Sequence, residues 1–388
     1  MKRNYLARIL VGIISLFCVT LFSCVQPLAG LENIYTDSSI KKTRMVANTI
    51  RIGYLWFNLD IANAVLIETM ALAGPNSNNY DAYYKSLTHL NLSFVNPISN
   101  KGKNIGISEN GGSALISELS IQNLVKALKK KYPSLRIGLA VGGSYSGNPA
   151  QNLNSIYKSV LDNGVKQNLF TTEVLRYAKN TGCDYIDIDL EWKALSIIGY
   201  NKFVQNCYDL GKKQGINTTL TLEYLYPAGI DYGNNKQQTL DKVVSNVTLQ
   251  KCDLLNIMSY NYNDNDSGNK NYKINDPNHA PLKIAERDIN FFIAQGVDAG
   301  KIILGLPFFG KGQYATGTEQ PVSNMNDPTL DIQKIGGNPY YFNGTETIKS
   351  KLKLARMKGI GGVMFWSIRH DKFGDYKNSM LKVIVDNQ

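Results

Sequence analysis

Eight short apolar segments alternate with amphipathic ones along residues 48–388, and no glycine-rich phosphate loop follows the first of them. Together these observations predict a closed parallel (β/α)8 TIM barrel, with a large open α/β sheet as the other architecture such alternation allows. A third observation bears on what the barrel does. The fourth apolar segment, "DYIDIDLEWK" at Asp184–Lys193, carries four carboxylates in a stretch that otherwise reads as a strand.

The N-terminus is expected to lie outside this fold. Lys2, Arg3 and Arg8 precede the apolar run "ILVGIISLFCVTLF", the pattern of a secretory signal over residues 1–24. The run is short for a transmembrane anchor. Leu21-Phe22-Ser23-Cys24 resembles a bacterial lipobox, which implies lipidation at Cys24 and attachment to a membrane through acyl chains. Residues 25–47 then read as a polar tether, and localisation as secreted or cell-surface.

Composition fits a globular domain with a sizeable core, at 388 residues, 43% hydrophobic and 10% aromatic. The net charge of +11 becomes +8 without the three basic side chains of residues 1–24. No basic cluster is interleaved with aromatics, so nucleic acid is not an expected partner. Cys183, Cys207 and Cys252 show no metal-ligand spacing and read as buried thiols.

The expected strands, in order, are "TIRIGYLWF", "LTHLNLSFVN", "LRIGLAVGG", "CDYIDIDLEW", "NTTLTLEYLY", "LLNIMSYNY", "KIILGLPFFG" and "GIGGVMFWSI". Helical periodicity marks "IQNLVKALKKKY", "TTEVLRYAKNTG", "NKFVQNCYDLGKKQG", "LKIAERDINFFIAQG" and "TIKSKLKLARMKG". Several of these end in a basic residue followed by glycine, which favours helix termination. The segments before the helices at Ser155 and Lys283 are long. Gly310–Gly344, rich in Gly, Asn, Thr and Pro, reads as an irregular functional loop.

Strand residues two apart share a face, so Asp187, Asp189 and Glu191 climb one face toward the C-terminal rim. With 31 acidic residues in 388, four acids at this spacing arise by chance about 0.02 times per chain. Burying three carboxylates together suppresses their ionisation. The lowest is expected to be protonated or hydrogen-bonded, and the topmost to have the raised pKa that a general acid needs. A calcium or magnesium site is disfavoured, because a strand lacks the turn that wraps ligands around a cation. No metal or other cofactor is expected.

The pattern D-x-x-D-x-D-x-E on a fourth strand resembles the signature of glycoside hydrolase family 18, the chitinases and their relatives. "LTHLNLSF", "LAVGG", "NIMSYN", "KIILGLPFFG" and "GGVMFWSI" resemble further family elements in the same order, over about residues 48–388. The resemblance implies Glu191 as general acid and the substrate's own acetamido group as nucleophile, with retention of configuration. It implies that Asp189 orients that acetamido group and that Asp187, beneath, shares a proton with it. Tyr260 would bond the acetamido carbonyl, and Trp366 would floor the sugar. Met258 and Asn261 belong to the same sixth-strand element and are implied as further substrate-binding residues. Gly142 and Gly143 match a structural pair on the third strand, and Asp184 ties down the fourth. Tyr54, Phe94 and Tyr145 fall at strand ends and are candidates for lining subsites.

The implied partner is an N-acetylglucosamine-containing glycan, chitin or a chito-oligosaccharide. An endo-β-N-acetylglucosaminidase acting on N-glycan cores, a non-catalytic sugar-binding relative and a peptidoglycan-remodelling enzyme are the alternatives. Four departures stand out: Tyr185 where the family has Gly, Ala140 in place of Ser, Leu190 where an aromatic is frequent, and Lys193 in place of Pro. A fifth, Asn261 in place of Asp, removes an ionisable group, so an altered pH profile is expected. Gly310–Gly344 looks too short for the insertion some chitinases carry, which predicts an open cleft.

Overall fold

Aliphatic, β-branched and aromatic side chains dominate the eight segments, and each forms a strand. They are β1 (Ile50–Trp56), β2 (His89–Pro97), β3 (Arg136–Gly143), β4 (Tyr185–Leu190), β5 (Asn217–Glu223), β6 (Leu254–Met258), β7 (Ile302–Pro307) and β8 (Gly362–Trp366). The computed structural model describes residues 49–57, 77–99, 101–103, 105–107, 116–143, 153–191, 197–223, 231–232, 235–236, 244–263 and 275–388. The expectations for the signal, Cys24, the tether, Tyr145 and Lys193 lie outside the described residues.

Each strand pairs in parallel with the next, and β8 pairs with β1, closing the barrel. The closed barrel, rather than the open sheet, is therefore the fold. Among the helices outside it are α1 (Ser77–Ser86), α2 (Glu118–Lys131), α3 (Leu153–Leu161), α4 (Gly164–Thr181), α5 (Ile197–Gln214), α6 (Asn246–Gln250), α7 (Leu282–Ala294), α8 (Thr345–Lys358) and α9 (Met380–Asn387). Gly182 and Gly359 end α4 and α8 in the left-handed conformation, each after a last turn that carries a basic residue, Lys179 in α4 and Arg356 and Lys358 in α8.

Two apolar layers result. The larger packs helices onto the outer strand faces. The smaller fills the barrel with Ile52, Tyr54, Ala140, Met258, Ile303 and Met364. Polar anchors fix the strand bases. Asp184 accepts from Lys129 Nζ of α2 at 2.6 Å and from the Ile137 backbone N–H of β3 at 2.8 Å. Asp253 repeats the device one strand pair further on, accepting from the Thr218 backbone N–H at 2.9 Å.

The stretch Gly310–Gly344 is more regular than expected. Phe309–Gly310 pairs with Gln320–Pro321, and Ile332–Ile335 forms a hairpin with Asn338–Tyr341. Gly336 and Gly337 make its two-residue turn, both with positive φ, which is the backbone that a tight hairpin demands.

At the C-terminal end of β3, Gly142 has φ +119°, and a Cβ there would sit 2.1 Å from the Asp189 carbonyl oxygen. Only glycine lets β3 lie this close to β4. Gly142→Ala is therefore expected to cost roughly 3 kcal/mol or more of stability. A urea unfolding curve matching wild type would contradict this close approach.

Candidate active site

The carboxylate column stands as its two-residue spacing requires. Asp187 is fully buried inside the barrel, Asp189 nearly so, and Glu191 half-buried just beyond the end of β4. Asp187 is held by five hydrogen bonds. Its Oδ1 accepts from Thr219 Oγ1 at 2.5 Å, Thr221 Oγ1 at 2.8 Å and Asn256 Nδ2 at 3.1 Å. Its Oδ2 accepts from the Tyr54 hydroxyl at 2.6 Å and Asn91 Nδ2 at 3.1 Å. These donors come from β1, β2, β5 and β6. Burial raises the Asp187 pKa, and the hydrogen bonds from Thr219, Tyr54, Thr221 and Asn256 offset part of that rise.

Asp189 is placed differently. Its Oδ1 is buried and has no hydrogen-bond partner among the described residues. Burial raises its pKa well above the carboxylate range, and the charges of Glu191, Asp187 and Glu223 add to the rise. Of the two aspartates, Asp187 therefore has the environment of an anion and Asp189 that of a neutral acid.

Aromatic rings surround the column. Trp366 ends β8, with Phe94 stacked on it at 5.6 Å and 18° and Tyr54 tilted against it at 6.0 Å. The Ser93–Phe94 and Trp366–Ser367 peptides are both cis. Gly143, at φ +80°, leaves space for the Phe94 ring, which a Cβ would approach to 2.5 Å. Tyr260 is buried beyond β6, its pKa raised well above the usual value by burial and then by Asp189 and Glu191. Its ring packs edge-on against Phe309. Met258 faces the barrel interior at the end of β6. Asn261 takes a left-handed backbone, φ 62°, and its Oδ1 is buried without a partner among the described residues.

Several polar neighbours escape a reading of the motif alone. Asn256 is the one polar residue of β6, Asn91 lies between two leucines of β2, and Thr219 and Thr221 share the inward face of β5; polar groups at these inward positions are the signal. Glu223 ends β5 on the same face as Thr219 and Thr221. Glu319 lies in the segment after β7. It is hydrogen-bonded to the Trp366 side chain, and burial raises its pKa.

Fold and site together define a parallel barrel with a carboxylate column and an aromatic floor at its C-terminal rim. A family model, Glycosyl hydrolases family 18, matches residues 72–371. The chain belongs to that family. It is similar to chitinase B of Serratia marcescens, at 25% identity over 82% of this chain and 80% of that protein. Its fold is shared with the chitinase ChiB of Flavobacterium johnsoniae, with a TM-score of 0.63, 23% identity, and 88% of this chain and 94% of that one covered. A chitinase from Cycas revoluta solved in complex with (GlcNAc)3 also shares it, with a TM-score of 0.62, 15% identity, and 87% and 99% covered.

The raised pKa of Asp189 has a cost in stability. Its folded pKa lies above the unfolded value near 3.9, so the native state binds the extra proton between the two values. Stability from this group is then lost as pH rises through that window, at about 1.4 kcal/mol per unit of elevation. Asp189→Asn is expected to be more stable than wild type, with a gain that grows from pH 4 to pH 8. Urea midpoints across that range test the sign, and a gain largest at pH 4 would contradict it.

Proposed function

We propose that the protein is a chitinase, hydrolysing β-1,4-linked N-acetylglucosamine polymers with retention of configuration. The supporting observation is the column of Asp187, Asp189 and Glu191 beneath an aromatic cleft, with one buried aspartate oxygen lacking a partner among the described residues. Similarity to proteins named chitinases favours this substrate class.

In this reading Glu191 donates its proton to the glycosidic oxygen as the bond to the anomeric carbon breaks. The acetamido carbonyl oxygen of the same sugar attacks that carbon, giving an oxazolinium ion; no enzyme carboxylate becomes the nucleophile. Asp189 Oδ1 takes the acetamido N–H, and Tyr260 donates to the acetamido oxygen. The single negative charge of the aspartate pair stabilises the positive charge that develops. Glu191, now ionised, takes a proton from water as the water opens the ring. Trp366 packs under the apolar face of the sugar.

Glu191→Gln should lower kcat by roughly 10²–10⁴-fold while binding of chito-oligosaccharide is kept. Product analysis by NMR should show the β-anomer released first. Undiminished turnover in the variant, or the α-anomer first, would sink the mechanism. Cleavage of a high-mannose glycoprotein, with chitin oligomers untouched, would move the substrate to N-glycan cores.

Residues 1–24 support export and attachment at Cys24. Cys24→Ala should shift the protein from the membrane fraction to the soluble one; an unchanged distribution would remove the lipid anchor.

A further inference from the structure

Tyr185 stands inside the barrel one step below Asp187, at the position where the family motif usually carries glycine. The strand register explains how it fits. Asn91 on β2 lies opposite Gly138 on β3, and Gly138 lies opposite Tyr185 on β4. A Cβ on Gly138 would fall 2.1 Å from the Tyr185 ring. The missing side chain on the middle strand is thus the slot through which Tyr185 reaches across two strand spacings, about 9–10 Å.

At the far side its hydroxyl meets Asn91 Oδ1 at 2.6 Å, and Asn91 Nδ2 then donates to Asp187 Oδ2 at 3.1 Å. Tyr185 and Asn91 are both buried, so neither can exchange its partner for water. On β3 the residue paired with Asp187 is Ala140, which has no polar group to offer. The third strand therefore contributes nothing to this carboxylate, and the second strand supplies the donor, steadied by the fourth.

We propose that the Tyr185 hydroxyl, acting through Asn91, positions Asp187 as the anionic member of the aspartate pair. The proposal rests on the glycosidase reading of the column. A hydroxyl donating to Oδ1 fixes the amide with its N–H₂ toward the carboxylate. With that donor removed, the amide is free to turn its oxygen to Asp187, an arrangement that favours the protonated acid.

The titratable groups that act on Asp187 and its neighbour are Tyr54 of β1, Tyr185 and Asp189 of β4, Tyr200 of α5 and Tyr260 beyond β6. Glu191 and Glu223 act on Asp189 from the rim. Tyr185 itself also feels Arg136, Cys183 and Asp184, and its ring lies against His89. Tyr185→Phe removes one hydroxyl and leaves all of these charges in place.

Hydrolysis requires one negative charge on the pair, so protonation of Asp187 sets the acidic limb of the kcat profile. Tyr185→Phe should move that limb up by about half to one pH unit. kcat at the optimum should stay within about threefold of wild type, and KM should not change. Asn91→Leu should shift the limb in the same direction and further. The double variant should match Asn91→Leu alone, because Tyr185 acts only through Asn91.

An unmoved limb in a folded Tyr185→Phe protein overturns the proposal, as do shifts that add in the double variant. If the wild-type protein releases nothing from chito-oligosaccharides, the proposed function fails separately. The positioning role is then read by ¹³C-carboxyl titration, with the Asp187 signal assigned through Asp187→Asn. An Asp187 pKa that is the same in wild type and Tyr185→Phe overturns it.

Discussion

The barrel interior is organised around one buried carboxylate. Asp187 has no access to water, and a carboxylate so placed is tolerated only where donors replace its hydration. Tyr54, Asn91, Thr219, Thr221 and Asn256 supply that replacement from four other strands. Each donor is itself constrained. Tyr54 also bonds Thr221, and Asn256 also bonds Thr221 and Tyr54. The layer is a shared polar network, in which one missing member would leave others unsatisfied, and within it Asn256 Oδ1 already lacks a partner among the described residues. It sets the register of distant strands as well as the chemistry above it.

What stands above depends on that layer in two ways. Its charge lies beneath Asp189 and, with burial and the rim glutamates, keeps a proton there. Its geometry also orients Tyr54, whose ring packs against Trp366, so the aromatic floor and the acid column share a support. Phe94 reaches the same indole only because Gly143 lacks a side chain. The backbone freedom of β3 thus shapes the cleft as much as the side chains of β4 do.

Much of this was legible in the residues. Apolar runs marked all eight strands, because buried parallel strands need little polar alternation. The acid column was legible because four carboxylates violate strand propensity. Helix α1, "SNNYDAYYKS", was not: it is polar on average, and it is recognised only when Tyr83 and Tyr84 pack on Phe373 near the C-terminus. The hairpin around Gly336-Gly337 carried a two-residue turn signal inside a stretch that looked irregular. Asn91, the Thr219–Thr221 pair and Asn256 sit on three different strands, and their convergence exists only once the sheet closes. Tyr185 was visible as a departure, yet its meaning required the register that brings Gly138 between it and Asn91.

That register has a consequence for how this sequence can change. Gly138 and Tyr185 occupy one shared volume, drawn from the middle strand and given to its neighbour. Refilling position 138 alone produces a collision, and emptying position 185 alone leaves a void the size of a tyrosine ring. Neither intermediate is a comfortable stopping point. The two positions are coupled by packing, so a substitution at either one is tolerated only together with a compensating change at the other.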